Sequence, residues 1–156
     1  MATKLLGAKI GSDMAEIVVL TKEDNGNFTL EDQTTMKLHD GPRPTAYDTF
    51  HGEFSDFIAH QHVQTVCIKG STVSMGGTKL AHLHAAELRG VVQAAAAAAG
   101  VEVRIMTKSA ASRNFGDRNV DAYLKDDAFW TGINLGALRN GLREAAFAAI
   151  SEFPTK

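Results

Sequence analysis

Two pairs of carboxylates are the first candidates for chemistry in this sequence. Asp126 and Asp127 precede the segment AFW, and Asp13 and Glu16 lie just before an apolar run near the N-terminus. Carboxylate oxygens bind Mg²⁺ and Mn²⁺ well, and a pair of such cations can hydrolyse a phosphodiester. A nuclease of this kind needs at least three carboxylates in one cleft, so neither pair is sufficient by itself.

The polar loop at residues 71–79 has the composition of an anion-binding loop. It supplies hydroxyl groups, glycines and one lysine ahead of a predicted helix: Ser71, Thr72, Ser74, Gly76, Gly77 and Lys79. The GxxxxGK[ST] spacing of a P-loop is missing. One interpretation is an anion site at the helix N-terminus with Lys79 as a ligand-binding residue, because free backbone donors and the helix dipole attract negative charge there. The other is a solvated loop.

Four histidines occur in two HxH pairs. His60 and His62 lie near a predicted helix end, where both rings can face one ligand, whereas His82 and His84 lie inside a predicted helix and point apart. Neither pair has a cysteine partner or an HExxH motif. We therefore predict surface histidines and no metal site.

A basic segment follows the central part of the chain. Lys108, Arg113 and Arg118 are spaced around Phe115, a pattern found in nucleic-acid-binding loops. Two nearby aspartates dilute the positive charge, so a solvated loop is the preferred interpretation.

Charge, motifs and hydropathy argue against several other classes of protein. The net charge is −2 with a pI near 6.3, so a nucleic-acid surface would have to be local. No GxSxG motif is present, and Cys67 lies in an apolar run that predicts a buried strand. No apolar run approaches the roughly 20 residues of a membrane helix. We expect a soluble cytoplasmic protein, with residues 1–156 forming a single domain.

Hydrophobic periodicity predicts the elements of the N-terminal part. Three strands form an antiparallel meander, with Asn25-Gly26 as a turn, at residues 5–10, 17–20 and 28–38. A helix at residues 45–60 follows, with aromatic side chains on one face.

A βαβ unit at residues 65–105 organises the rest of the chain. Its first strand is short and fully apolar, as in a parallel sheet covered on both faces. Its helix begins after Thr78 as N-cap, ends at Gly100, and carries an apolar face of Leu80, Leu83, Leu88, Val91, Val92 and Ala95. A strand at residues 101–106 and a loop with a short helix come next, and then a helical pattern that three glycines interrupt.

The order of these elements resembles the ribonuclease H-like fold. Three segments, LLGAKIGSDMAEIVVL, VCIKG and KDDAFWTGI, are similar to the first hairpin, the fourth strand and the start of the last helix of RuvC-type Holliday junction resolvases. The resemblance implies a mixed five-stranded sheet, three strands antiparallel and two parallel, flanked by helices.

In that family, carboxylates from these three segments hold two divalent cations that hydrolyse phosphodiesters. The resemblance places the first ligand position on Lys9, the second on Lys69 or Gly70, and the third on Asp127 or its neighbour Asp126. A charged lysine cannot coordinate Mg²⁺. The resemblance thus implies a replaced metal site and no cofactor. The alternative is an active nuclease that binds Mg²⁺ or Mn²⁺ through a shifted set of carboxylates. In that case Asp126 and Asp127 are catalytic.

Lys9 and Lys69 on neighbouring strands, with Asp126 or Asp127 nearby, would form a salt-bridge cluster. One interpretation is that the cluster merely neutralises the vacated site. The other is that the lysines form a pocket for phosphate or a phosphate-containing ligand, which requires them to face an open pocket. Nucleic acid is a further possible partner. We predict an inactive nuclease relative that acts by binding or assembly, with an active metal-dependent nuclease as the alternative.

Small residues concentrate in two segments, at residues 91–99 and 132–149. Alanine and glycine allow helices to approach closely, either between two copies in a homodimer or inside one domain.

Overall fold

The computed structural model describes residues 2–70 and 79–154, and its centre is a five-stranded sheet in the order β3-β2-β1-β4-β5. The first three strands are antiparallel, and β4 and β5 run parallel to β1. The strands are β1 (Thr3–Ile10), β2 (Met14–Lys22), β3 (Phe28–Lys37), β4 (Thr65–Lys69) and β5 (Glu102–Met106). This arrangement confirms the predicted mixed α/β sheet.

Six α-helices connect and follow these strands within the described ranges. They are α1 (Arg43–Gln61), α2 (Leu80–Ala98), α3 (Lys108–Asn114), α4 (Val120–Leu124), α5 (Asp127–Gly132) and α6 (Arg143–Ile150), with a 3₁₀ turn at Asn140–Leu142 before α6. The interrupted C-terminal pattern is therefore broken into short helices, as its glycines suggested. None of the described helices is long and apolar enough to cross a membrane.

The sheet separates two hydrophobic layers, because alternate residues of each strand point to opposite faces. On β1, Leu6 and Ala8 pack under α1 and α2, whereas Leu5 faces α6 and the aromatic residues of the C-terminal helices. Cys67 belongs to the α6 layer and is 1% exposed, which confirms its predicted burial.

A close approach between β1 and α6 brings the last helix onto the sheet. A Cβ added at Gly7 would collide with the backbone carbonyl of Ala145, and it would also meet the Cβ of Ala149 at 3.3 Å. Only glycine on the strand and alanine on the helix allow this spacing. The small residues of α6 are therefore buried within the domain, which leaves them unavailable to a second copy.

The start of α2 differs from the sequence-based prediction. The N-cap of α2 is Lys79, whereas Thr78, the predicted N-cap, and the rest of the predicted phosphate cradle at residues 71–78 lie outside the described residues. Leu80 is 66% exposed and Leu83 is 53% exposed, although their spacing placed them on the predicted apolar face. The buried face of α2 begins only at Leu88, because the first two turns of the helix do not contact the sheet layer.

Candidate functional site

Two lysines lie side by side at the carboxyl ends of adjacent parallel strands. Ala8 on β1 and Ile68 on β4 are register partners, so the residues that follow them, Lys9 and Lys69, are neighbours. Alternation along both strands directs these lysines to the α6 face, the same face as Gly7. The predicted juxtaposition of the two lysines is therefore present.

A third lysine and one carboxylate complete the group, which we call the lysine cluster: Lys9, Lys69, Lys108 and Glu144. Oε2 of Glu144 is 2.8 Å from Nζ of Lys9 and 3.3 Å from Nζ of Lys69, and its Oε1 is 3.2 Å from Nζ of Lys108. Lys108 also contacts Asp121 at 2.9 Å. Three ammonium groups thus share a single carboxylate.

Two helix starts hold the outer members of the cluster in place. Glu144 lies in the first turn of α6, where the helix dipole favours a negative charge. Lys108 is the first residue of α3, and Thr107 before it caps the helix by accepting a hydrogen bond from the backbone N–H of Ala110 at 3.3 Å. Since α6 packs against β1 at Gly7, its first turn reaches the end of that strand.

The cations control the ionisation of Glu144. Burial of the carboxylate acts to raise its pKa, but the hydrogen bond from Lys9, the charge of Lys69 and the hydrogen bond from Lys108 outweigh burial and lower the pKa from 4.5 to about 2. The contact with Asp121 in turn raises the pKa of Lys108. Glu144 is therefore ionised at neutral pH.

No open pocket lies among these side chains in the described part of the chain. Lys69, Lys108 and Glu144 stand over an apolar floor that includes Met106 and Phe147, and the space between them admits no water molecule. The lysine side chains nevertheless reach solvent, with exposures of 39% for Lys9, 22% for Lys69 and 30% for Lys108. The site is a half-exposed surface cluster and not a cavity.

The cluster does not fit the two divalent cations that the alternative, a metal-dependent nuclease, requires. Ammonium groups donate hydrogen bonds and offer no lone pair to a metal, so Glu144 is the one ligand that this group provides. Across residues 2–70 and 79–154, no three side chains of histidine, cysteine, aspartate or glutamate come together in a way that could hold a metal ion.

The carboxylate beside the lysines is Glu144, which corrects the expectation that Asp126 or Asp127 lies there. Asp126 caps α5, accepting a hydrogen bond from the N–H of Phe129 at 3.2 Å, and pairs with Arg118 at 3.0 Å. The bond from Phe129 and then the pair with Arg118 lower the pKa of Asp126.

Asp127 is 84% exposed and pairs with Arg143 at 2.7 Å. Arg143 and Glu144 are consecutive in the chain, so Asp127 lies near the start of α6 but is paired with a different residue. Glu144 was missed by the sequence analysis. An acidic residue in the first turn of a helix can be recognised only when the start of that helix is known, and the sequence did not define where α6 begins.

The second predicted acidic pair is divided by the hairpin. Glu16 is the register partner of Lys9, so both side chains lie on the α6 face, whereas Asp13 is exposed in the turn between β1 and β2. Within the described residues, Glu16 on β2 is therefore the carboxylate directly across from Lys9 on β1.

The remaining candidates lie apart from the cluster. Lys79 is exposed at the start of α2 and forms no ion pair with a described residue. Arg118 lies over the ring of Tyr123, with 4.3 Å from its guanidinium carbon to the ring centroid, and Arg113 is exposed on α3. Burial raises the pKa of the Cys67 thiol to about 12, which keeps it protonated and unreactive.

The histidine pairs follow the predicted geometry. His82 and His84 lie within α2, while His60 and His62 are both exposed at the end of α1. The residue that ends α1, His62, has a left-handed backbone with φ of 57°.

Comparison with solved structures identifies the fold. RuvC from Thermus thermophilus, in complex with a Holliday junction substrate, superposes with a TM-score of 0.75 at 18% sequence identity, covering 97% of this chain and 92% of that one. The chain has a RuvC-like, ribonuclease H-type fold. A second T. thermophilus RuvC structure gives a TM-score of 0.74 at 16% identity, with 97% and 94% of the two chains covered.

A eukaryotic resolvase has a similar fold. The yeast mitochondrial Holliday junction resolvase Ydc2 gives a TM-score of 0.63 at 8% identity, covering 96% of this chain and 77% of that one. No protein-family model and no curated protein sequence matches the chain. The likeness is thus one of fold, and the chemistry has to be argued from the residues.

Proposed function

We propose that this protein is a non-catalytic relative of the Holliday junction resolvases that binds the phosphate backbone of nucleic acid through its lysine cluster. The observation that carries the proposal is the gathering of Lys9, Lys69 and Lys108 around Glu144 at the strand ends. This set of side chains supports contact with phosphates and provides no set of metal ligands.

The exposure of the cluster favours a polymer backbone over a small anion. A free phosphate ion needs a concave site that surrounds it, and the space among these side chains is closed. A nucleic-acid backbone instead needs ammonium groups that reach solvent, since most protein–DNA contacts position the duplex from the surface. Lys9 and Lys108 meet this requirement with 39% and 30% of their side chains exposed.

The charge of the cluster also supports this function. Among the described residues, three lysines form ion pairs with only two carboxylates, Glu144 and Asp121, and Glu16 lies beside Lys9 on the neighbouring strand of a chain whose net charge is −2. The RuvC structure that superposes on this chain carries a Holliday junction, which supports testing branched DNA first.

A binding experiment tests the proposal directly. Fluorescence anisotropy would compare a labelled four-way junction, duplex DNA, single-stranded DNA and RNA over a series of salt concentrations. We expect Lys9→Gln combined with Lys69→Gln to weaken binding about tenfold and to lower the salt slope by about one per lost phosphate contact. The control is Lys4→Gln with Lys37→Gln, which removes the same charge outside the cluster.

Each result bears on the proposal. Equal losses in the two double variants would show that only net charge matters, and absence of binding by the folded wild-type protein would refute nucleic-acid binding. If inorganic phosphate at low millimolar concentration displaced the nucleic acid, the lysine cluster would be a binding site for a small anion and the proposal would be overturned.

A cleavage experiment tests the alternative of a metal-dependent nuclease. The wild-type protein is incubated with branched, single-stranded and duplex DNA and with RNA, in Mg²⁺ or Mn²⁺, beside the double variant Asp126→Asn with Asp127→Asn. We expect no cleavage by either protein. Cleavage by the wild type that the double variant loses would overturn the proposal and establish a shifted catalytic carboxylate set.

A further inference from the structure

We propose that Glu144 occupies the position of a backbone phosphate in the lysine cluster, and that a phosphate diester takes its place when nucleic acid binds. The observation behind this is the sharing of one carboxylate by three ammonium groups. The Nζ atoms of Lys9, Lys69 and Lys108 lie 2.8, 3.3 and 3.2 Å from its oxygens. The inference rests on the proposed function, because it specifies how the cluster receives a phosphate of the backbone.

The carboxylate of Glu144 and a phosphate diester offer the lysines the same kind of group. Each carries one negative charge shared by two terminal oxygens, and each accepts charge-assisted hydrogen bonds from ammonium groups. Oε2 of Glu144 lies beside Lys9 and Lys69. Its Oε1 lies beside Lys108. The two non-bridging oxygens of a single phosphate can therefore take over all three contacts and leave the charge of the site unchanged.

The carboxylate has to leave before a phosphate can contact all three lysines. The space among Lys69, Lys108 and Glu144 admits no water molecule, so a phosphate does not fit there beside the carboxylate. A second anion at hydrogen-bond distance from the same ammonium groups would also be repelled by the nearby charge of Glu144. Binding at this position is therefore an exchange of one anion for another.

The position of Glu144 in the fold allows the exchange. Its side chain is 24% exposed, and the carboxylate is joined to the backbone by a flexible aliphatic stem. The backbone of α6 stays in place, because it packs closely against β1 at Gly7. Rotation of this one side chain thus moves the carboxylate into solvent, while the lysines remain at the ends of β1 and β4 and at the start of α3.

The exchange also distinguishes a polymer from a small anion. An isolated phosphate ion has to displace Glu144 with its own interactions alone, against the ion pairs that hold the carboxylate. A nucleic-acid backbone attaches through several phosphates, so the effective concentration of phosphate at the cluster is high. Glu144 thereby excludes small anions and admits a polyanion.

Fluorescence anisotropy with the labelled four-way junction tests the exchange. Glu144→Gln keeps the size of the side chain and removes its charge, and we expect it to bind about tenfold more tightly than the wild type. The matched control is Glu152→Gln, which removes the same charge from a carboxylate that pairs with Arg104 outside the cluster. This control should change the affinity by less than about twofold, because solvent and salt screen distant charges.

A double-mutant cycle shows whether the lysines carry the effect. In the background of Lys9→Gln with Lys69→Gln, adding Glu144→Gln should change the affinity by less than about twofold, since the contacts that Glu144 competes for are already lost. If too little Glu144→Gln is folded by circular dichroism, Glu144→Asp replaces it. The aspartate keeps the charge but reaches the lysines less well, so we expect a gain in affinity of about threefold.

Thermal melting in inorganic phosphate tests the same position without nucleic acid. At constant ionic strength, phosphate at about ten times its dissociation constant should raise the Tm of Glu144→Gln by about 4 °C, because the ion enters the position that the carboxylate has vacated. The Tm of the wild type and of Glu152→Gln should stay nearly unchanged. A carboxylate with a structural role alone would give neither this stabilisation nor the gain in affinity.

The outcomes separate this inference from the proposed function. Junction binding that depends on Lys9 and Lys69 but is not tighter in Glu144→Gln would overturn the exchange and leave the proposed function intact. An equal gain in Glu144→Gln and Glu152→Gln would attribute the effect to net charge and would also overturn the exchange. Absence of junction binding by both the folded wild type and folded Glu144→Gln would refute the proposed function and this inference with it.

Discussion

Replacing Glu144 by glutamine removes the one carboxylate that three lysines of the cluster share. The fall of the Glu144 pKa from 4.5 to about 2 corresponds to about 3 kcal/mol of stabilisation of the folded state at neutral pH. The side chains of the cluster are 22% to 39% exposed, and solvent screening should reduce this to about 1–2 kcal/mol. Glu144→Gln should therefore lower the free energy of unfolding by that amount.

The pH dependence of this loss has a definite sign. A carboxylate with a depressed folded-state pKa stabilises the protein above its unfolded pKa, near 4.5, and the stabilisation disappears as the pH falls toward about 2. The difference in unfolding free energy between wild type and Glu144→Gln should thus be full at pH 7 and should shrink steadily below pH 4.5. Urea denaturation followed by the fluorescence of Trp130, which is fully buried, measures it.

Glu152→Gln is the matched control for this experiment. Glu152 is exposed to a similar degree, at 26%, but among the described residues it pairs only with Arg104, at 3.3 Å. Its substitution should cost no more than about 0.5 kcal/mol. The reasoning would be refuted if Glu144→Gln were no more destabilising than Glu152→Gln, or if its effect were the same at pH 3 as at pH 7.

Two further predictions concern packing. Gly7→Ala should destabilise the protein by roughly 2 kcal/mol in urea denaturation, because its Cβ would collide with the carbonyl of Ala145, whereas Gly52→Ala, on an open face of α1, should be neutral or stabilising by up to about 1 kcal/mol. An unchanged stability for Gly7→Ala would contradict the close packing of α6. The Cys67 thiol, buried with a pKa raised to about 12, should react with Ellman's reagent only in denaturant, and rapid reaction of the native protein would show that β4 is accessible.

Local pattern in the sequence was enough for the strands and for most of the helices. Apolar runs predicted all five strands, and the turn at Asn25-Gly26 has the positive φ of 95° at Gly26 that this dipeptide favours. The burial of Cys67 also followed from its neighbours in the chain. These features depend on residues close in sequence, so periodicity and turn chemistry suffice to predict them.

The composition of the candidate site was predictable only in part. The resemblance in sequence placed Lys9 and Lys69 together, and the register of β1 and β4 confirms that they are neighbours. Their carboxylate partner was predicted wrongly, because it depends on where the short C-terminal helices begin. Asp126 is instead the N-cap of α5, where its carboxylate accepts a hydrogen bond from the backbone N–H of Phe129.

Tertiary structure alone decided which charges meet and which apolar residues remain uncovered. Lys108 and Glu144 join the cluster because α6 packs onto β1 at Gly7, and nothing near either residue in the sequence signals that contact. Leu80 and Leu83 share a helical pattern with buried residues, yet they are exposed because the first turns of α2 lie beyond the sheet layer. Periodicity specifies which residues share a face, while the extent of the neighbouring layer determines how much of that face is covered.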